Sequence, residues 1–173
     1  MNLARRIAAR INGTRVPDSF GGSLEASEHV LASAGSGPRC VLVTSHGLWL
    51  PEAEGDRRIG WHRIAKASWE DPRLEVIEAR AEEVVEGIEI VVDLAPQRFS
   101  LEPPGRVPQT VRQRVERSIA ERQRREVDGG GVWFVQRREP GVDGILLQVR
   151  PDPGADRAQV RSLTAGIARR LRS

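Results

Sequence analysis

The sequence predicts an α+β, mainly β, fold: a seven-strand barrel or sandwich capped by one amphipathic helix, with a C-terminal β-hairpin and helix. Three observations carry this. Between residues 28 and 102, short apolar runs alternate with turn residues at the spacing of small all-β domains. Residues 108–126 then carry Val111, Val115 and Ile119 at helical spacing. Beyond Asp128-Gly129-Gly130-Gly131 come two further apolar runs and a second helical stripe.

The β pattern starts at Glu28, where Val30 and Ala32 alternate toward the turn Gly35-Ser36-Gly37-Pro38. Cys40-Val41-Leu42-Val43-Thr44 and Leu48-Trp49-Leu50 form a hairpin across Ser45-His46-Gly47. Arg58–Ile64, Ala65–Trp69, Leu74–Glu78, Ile88–Val92 and Arg98–Leu101 supply the remaining strand candidates. Pro103-Pro104-Gly105 ends the β region, and Pro108 suits the first turn of the capping helix 108–126, where its missing N–H costs nothing. Burying Val111, Val115 and Ile119 against the open barrel end should contribute about 1.5–3 kcal/mol each. In the C-terminal part, Val132–Val135 and Ile145–Val149 read as a hairpin about the turn 140–144. Val160, Leu163, Ile167 and Leu171 stripe the last helix, with Asp156 near its start and Arg169, Arg170 and Arg172 in its last turn, matching the helix dipole.

A chain of 173 residues is one domain or one domain with an appendage. The expected division is a basic N-terminal segment 1–23, flexible or briefly helical through Leu3, Ile7 and Ile11; a β domain with its capping helix at 24–127; and a hairpin–helix extension at 128–173 packed on it. No apolar run approaches the roughly 20 residues of a membrane span, and the basic start lacks the apolar stretch of a secretory signal. Cys40 is the single cysteine, which excludes an internal disulfide or a Cys-rich zinc site and points to a reducing cytoplasm.

Of the 27 basic residues only Lys66 is lysine. Such an Arg excess fits phosphate recognition, and equally the codon bias of a GC-rich genome. The net charge of +3 is uneven: residues 21–105 carry −7 and residues 106–126 carry +4. An acidic body beside basic segments suits internal pairing as well as a partner site. The candidate interaction surface is the polar face of helix 108–126: Arg112, Arg114, Arg117, Arg122, Arg124 and Arg125, diluted by Glu116, Glu121 and Glu126 at intrahelical pairing distance.

No pattern points to catalysis, a cofactor or a metal. His29, His46 and His62 are not spaced as ligands. Ser45-His46 resembles half a nucleophile–base pair, but neighbouring strand residues point to opposite faces and the strand–elbow–helix context is missing. Gly129-Gly130-Gly131 lacks the Lys-Ser/Thr of a phosphate loop, and Glu78, Glu82, Glu83 and Glu86 read as a solvated acidic loop. Trp49, Trp61, Trp69 and Trp133 are four of seven aromatics; Trp61 and Trp69 suit the core of a small β domain better than a stacking platform.

The pieces Val41-Leu42-Val43-Thr44, Gly47-Leu48-Trp49-Leu50-Pro51, Arg58-Ile59-Gly60-Trp61-His62-Arg63-Ile64, Ala67-Ser68-Trp69 and Val111-Arg112-Gln113-Arg114-Val115 resemble small uncharacterised actinobacterial proteins with a pleckstrin-homology-like domain, over roughly residues 28–150. The most specific part is Arg-Ile-x-Trp-x-x-Ile-x-x-Ala-x-Trp at 58–69. The resemblance implies a binding or scaffolding module without chemistry of its own. Relatives of this shape often bind phosphoinositides through basic residues in the first hairpin loop. That loop is Gly35–Arg39 here, with Arg39 its only basic residue, so the lipid function does not carry over. The expected partner is another protein, or a second copy of the chain. The alternative is electrostatic binding of nucleic acid or an anionic membrane through the arginines.

If Val115 faces the barrel core, Val115→Asp should abolish or sharply lower the cooperative thermal transition. An unchanged midpoint, within about 2 °C, would rule out the capping role.

Overall fold

The computed structural model describes residues 16–35 and 39–173. The expected helical stripe Leu3, Ile7 and Ile11 and most of the Gly35–Arg39 loop lie outside the described residues. Strands β1 (Val30–Ala34), β2 (Val41–Thr44), β3 (Gly47–Glu52) and β4 (Gly55–Gly60) form an antiparallel meander in the order β1-β2-β3-β4. A 3₁₀ turn, Trp61–Arg63, leads into β5 (Ile64–Glu70), β6 (Arg73–Val85), β7 (Ile88–Asp93) and β8 (Gln97–Ser100). Helix α1 (Val107–Ser118), β9 (Ile119–Val127), β10 (Gly130–Arg137), β11 (Leu146–Pro151) and α2 (Arg157–Leu171) complete the chain. The second sheet has the order β5-β6-β7-β11-β10-β9, with β8 also paired to β6. The molecule is mainly β, with a curled sheet that makes half a barrel.

Two expectations need correction. Eight strands, not seven, lie between residues 30 and 100. The run read as one strand over 58–64 is broken by the 3₁₀ turn, because Trp61 leaves the ladder, buries its ring and donates its indole N–H to the Thr44 carbonyl at 3.1 Å. The helix read as 108–126 stops at Ser118, and residues 119–127 are strand β9. Glu, Arg and Gln fill this stretch and favour helix, but β9 pairs with β10 from Ile119↔Arg137 to Val127↔Gly130. Ladder hydrogen bonds formed in tertiary context override a weak local propensity. Ile119 therefore leaves the Val111–Val115 stripe.

The hairpin between β9 and β10 turns on Asp128-Gly129, a dipeptide suited to tight two-residue turns. Gly129 has φ of +81°, and a Cβ there would meet the Gly154 carbonyl oxygen at 2.2 Å. Only glycine satisfies both conditions. The turn is tied to the start of α2: Gln159 accepts from the Asp128 N–H at 3.0 Å and donates to its carboxylate at 2.6 Å. Asp156 caps α2 by accepting from the Gln159 N–H at 2.8 Å.

β11 pairs antiparallel with β10 and parallel with β7, through Gln148↔Glu89 and Val149↔Ile90. β11 is thus an interior strand of the second sheet, to which residues 128–173 contribute.

One core lies between the first sheet, the β5–β6–β8 end of the second and α1. It contains Val41, Val43, Leu48, Leu50, Ile59, Trp61, Ile64, Leu74, Val76, Val107 and Val111, with Val115 and Trp69 partly buried against it. A second core lies between α2 and the β7–β11–β10 face, and contains Ile88, Ile90, Val132, Phe134, Val149, Val160 and Ala168. In α2 the buried residues are Val160, Thr164 and Ala168, whereas Leu163 and Leu171 of the expected stripe face outward. The acidic 82–86 stretch pairs with the arginines of α2: Arg157–Glu82 at 3.1 Å, Arg161–Glu83 at 2.8 Å, and Arg172–Glu86. The charge asymmetry is thus partly internal. Exposed pairs of this kind contribute about 0–1 kcal/mol each.

The 13-residue strand β6 supplies Leu74 and Val76 to the first core and Val85 to the edge of the second. The two cores should therefore unfold together. In a Trp133→Phe background, where Trp61 and Trp69 report the first core and Trp49 reports the cluster it forms with Val30 and Leu42 on the first sheet, Phe134→Ala in the second core should cost about 3–5 kcal/mol. It should lower the tryptophan-emission and circular-dichroism midpoints equally. Separated transitions would mean two independent units.

Candidate functional site

The six arginines expected on one helical face do not share one. Arg112, Arg114 and Arg117 are on α1; Arg122, Arg124 and Arg125 are on β9, where Arg125 faces away from the other two. Arg112 pairs with Glu116 at 3.0 Å. Burial, reinforced by the neighbouring Arg117, holds the Arg114 guanidinium below its usual range. Arg124 bonds Glu126 at 2.9 Å and Asp152 at 2.7 Å, and its guanidinium lies 5.5 Å from the Trp133 ring centroid. Among the described residues Arg122 makes no ion pair.

The histidines are dispersed. His62 is buried within the 3₁₀ turn; burial pushes its imidazole down, and Glu139 stands 3.8 Å away. Ser45 and His46 do not meet as a pair: the Ser45 hydroxyl accepts from the His29 N–H at 2.9 Å. His46 instead lies 3.2 Å from Glu25 and 3.5 Å from the Ser27 hydroxyl. The order Ser27–His46–Glu25 has the outline of a triad. Ser27 is exposed, however, and Glu25 also takes a 2.7 Å hydrogen bond from Arg58. These contacts tie the segment before β1 to the β2–β3 turn.

Beneath them lies Glu28, only 6% exposed. Its carboxylate accepts from Thr44 at 2.5 Å, Trp49 Nε1 at 2.9 Å and Arg58 at 2.7 Å. Burial alone would raise this carboxyl; the hydrogen bonds from Thr44, Trp49 and the Glu25 N–H, with the Arg58 charge, outweigh it and hold the group below its usual range. This is a structural knot, which leaves its ligand capacity spent on the fold.

Two concave regions flank the β9–β10–β11 end of the second sheet, and period-two alternation sorts them. The first, about 450 Å³, lies between α2 and the sheet; it is floored by Phe134, Leu147 and Ile167 and edged by Ile145, 51% exposed, and Leu171, 70% exposed. Glu121, Gln123 and Arg125 of β9 form its rim. Among the described residues β9 pairs only with β10, so its outer backbone groups are an open edge. The second, about 600 Å³, opens on the opposite face, where Trp133, Val135 and Arg137 of β10 stand beside Arg122 and Arg150.

Arg137 is 2% exposed. It donates to the Ser118 hydroxyl at 2.7 Å and to the Ile64 carbonyl at 2.8 Å, both neutral acceptors. Burial, with the charges of Arg150 and Arg122, pushes it down to about 10. Gln148 donates to the His62 carbonyl at 3.0 Å. Among the described residues Arg137 Nε, Gln148 Oε1 and His62 Nδ1 are buried without a partner, in side chains that meet at the 3₁₀ turn and the start of β5. Sequence reasoning missed Arg137, Arg150 and Arg157. The available signal was the alternation Trp133-x-Val135-x-Arg137, which puts an arginine on the same face as two apolar residues.

Among the described residues no cluster of His, Cys, Asp or Glu could hold a metal ion, and no helix is long and apolar enough to cross a membrane. No family model, curated protein or solved structure matches the chain. The two concavities therefore have to be read from their own chemistry.

Because the Glu28 carboxyl is depressed in the folded state, its stabilisation is fully present above the unfolded value near 4.5 and is lost as pH falls through the folded value. Glu28→Gln should cost about 1.5–3 kcal/mol at pH 7. It should also flatten the loss of stability below about pH 4.5 seen in urea titrations; a parallel displacement at every pH would show that the charge is not what holds the knot.

Proposed function

We propose that the chain is a non-enzymatic binding and scaffold protein of pleckstrin-homology-like layout, whose partner is another protein. The layout is supported by the β1–β4 meander followed by β5, β6 and β8 around one core, with α1 packed over it. The observation that carries the partner is the apolar groove beside the open edge of β9. Ile145 and Leu171 stay largely in water although Phe134, Leu147 and Ile167 lie next to them. An exposed apolar concavity flanked by unpaired strand backbone suits an extended segment, which adds to the edge and drops alternate side chains into the groove.

The basic centre of β9, Arg122 to Arg125, favours an acidic segment that carries apolar side chains. A general polyanion surface on the arginines has less support, since Arg112 and Arg124 are already paired with carboxylates.

The test is affinity purification from host lysate at physiological salt, after nuclease, with wild-type protein and the double variant Ile145→Asp/Leu171→Asp. Both positions are exposed, so the variant should fold. The proposal expects a protein partner retained by wild type and lost from the variant. Recovery of the same partner by both, or co-elution of nucleic acid that disappears with nuclease, would overturn it.

A further inference from the structure

The cavity on the opposite face is independent of the docking groove and has a different chemistry. Four arginines line it, Arg122, Arg137, Arg150 and Arg157, against two carboxylates, Asp93 and Asp152. The carboxylates are already engaged. Asp93 pairs with Arg150 at 2.5 Å, while Asp152 is held by Arg124 from outside the cavity at 2.7 Å and by the Gly131 N–H at 2.9 Å. Arg157 pairs with Glu82. Among the described residues two positive charges remain uncompensated, those of Arg122 and Arg137.

Arg137 is the informative one. A guanidinium 2% exposed is normally matched by a carboxylate. Here it has only a hydroxyl and a carbonyl, its Nε has no partner, and two further guanidiniums stand close enough to disfavour its charge. An anion among Arg122, Arg137 and Arg150 would turn that repulsion into attraction, and guanidiniums bind phosphate oxygens in paired, planar geometry. The rest of the wall is apolar: Trp133, Val91 and Val135. A volume of about 600 Å³ is within the range of small-molecule sites and exceeds what a lone phosphate needs.

We propose that this cavity binds a small phosphorylated organic molecule of mononucleotide size, its phosphate among Arg122, Arg137 and Arg150 and its ring along the wall of Trp133, Val91 and Val135. Arg137 supplies buried positive charge, Arg122 is the free group at the mouth, and Arg150 remains tethered by Asp93.

The test is calorimetric titration of the full chain with adenosine monophosphate, adenosine and inorganic phosphate. Adenosine monophosphate should bind with a Kd below about 1 mM and at least tenfold more tightly than either fragment. Arg122→Glu, at an exposed position whose side chain makes no ion pair among the described residues, should weaken it at least tenfold with an unchanged circular-dichroism spectrum. Trp133→Leu should weaken the nucleotide and leave any residual phosphate affinity unchanged. No nucleotide binding at about 5 mM, or equal affinity in Arg122→Glu, would overturn the site. Phosphate binding as tightly as the nucleotide would overturn the role of the apolar wall. A single-stranded oligonucleotide that binds much more tightly than the mononucleotide would replace the cavity with an extended surface.

Discussion

The burial of Arg137 is the constraint on which much of this molecule depends. Its guanidinium reaches the last residue of α1 through Ser118 and the first of β5 through the Ile64 carbonyl, while its backbone belongs to β10. Three elements distant in sequence thus converge on one cation. The Ser118 hydroxyl also donates to the Val115 carbonyl, so the residue that closes the helix is the one that receives Arg137. The helix-to-strand switch at 118–119 is anchored there. A buried charge without a carboxylate is costly, and the fold retains it where a cavity opens onto its face.

The second sheet separates two chemistries by alternation alone. On β10, Val132 and Phe134 face α2 and build the second core, whereas Trp133, Val135 and Arg137 face the cavity. On β11, Val149 and Leu147 take the first side, and Gln148 and Arg150 the second. A one-residue register slip would exchange the two sets. The parallel pairing of β11 with β7 and its antiparallel pairing with β10 hold that register from both sides. The apolar groove and the arginine-lined cavity therefore arise from the same few residues of backbone.

Much of the first core was legible in the sequence. Val41, Leu48, Leu50, Ile59, Ile64, Leu74 and Val76 are buried as their apolar runs imply, and Val111 and Val115 pack against them as their four-residue spacing implies. The boundaries misread were those set by distant partners. Trp61 leaves its strand because Thr44 offers a buried carbonyl, and residues 119–127 leave the helix because β10 offers a ladder. That second change divides the arginines of the expected surface: Arg112, Arg114 and Arg117 stay on α1, and the strand sends Arg122 and Arg125 to opposite faces.

What the sequence by itself determined is the set of local preferences: apolar runs long enough for strands, glycine and proline at the turns, an aspartate cap on α2, and an arginine excess. Those follow from side-chain shape and backbone freedom within a few residues. Only the tertiary structure decided which strands beyond the hairpins are neighbours, that Arg137 is buried without a counter-charge, and that Arg122 and Arg150 stand around it. The physical reason is that burial and charge environment are properties of contacts between residues far apart in the chain. Here they depend on β11, already in a hairpin with β10, also pairing in parallel with β7, a contact for which the chain carries no local signal.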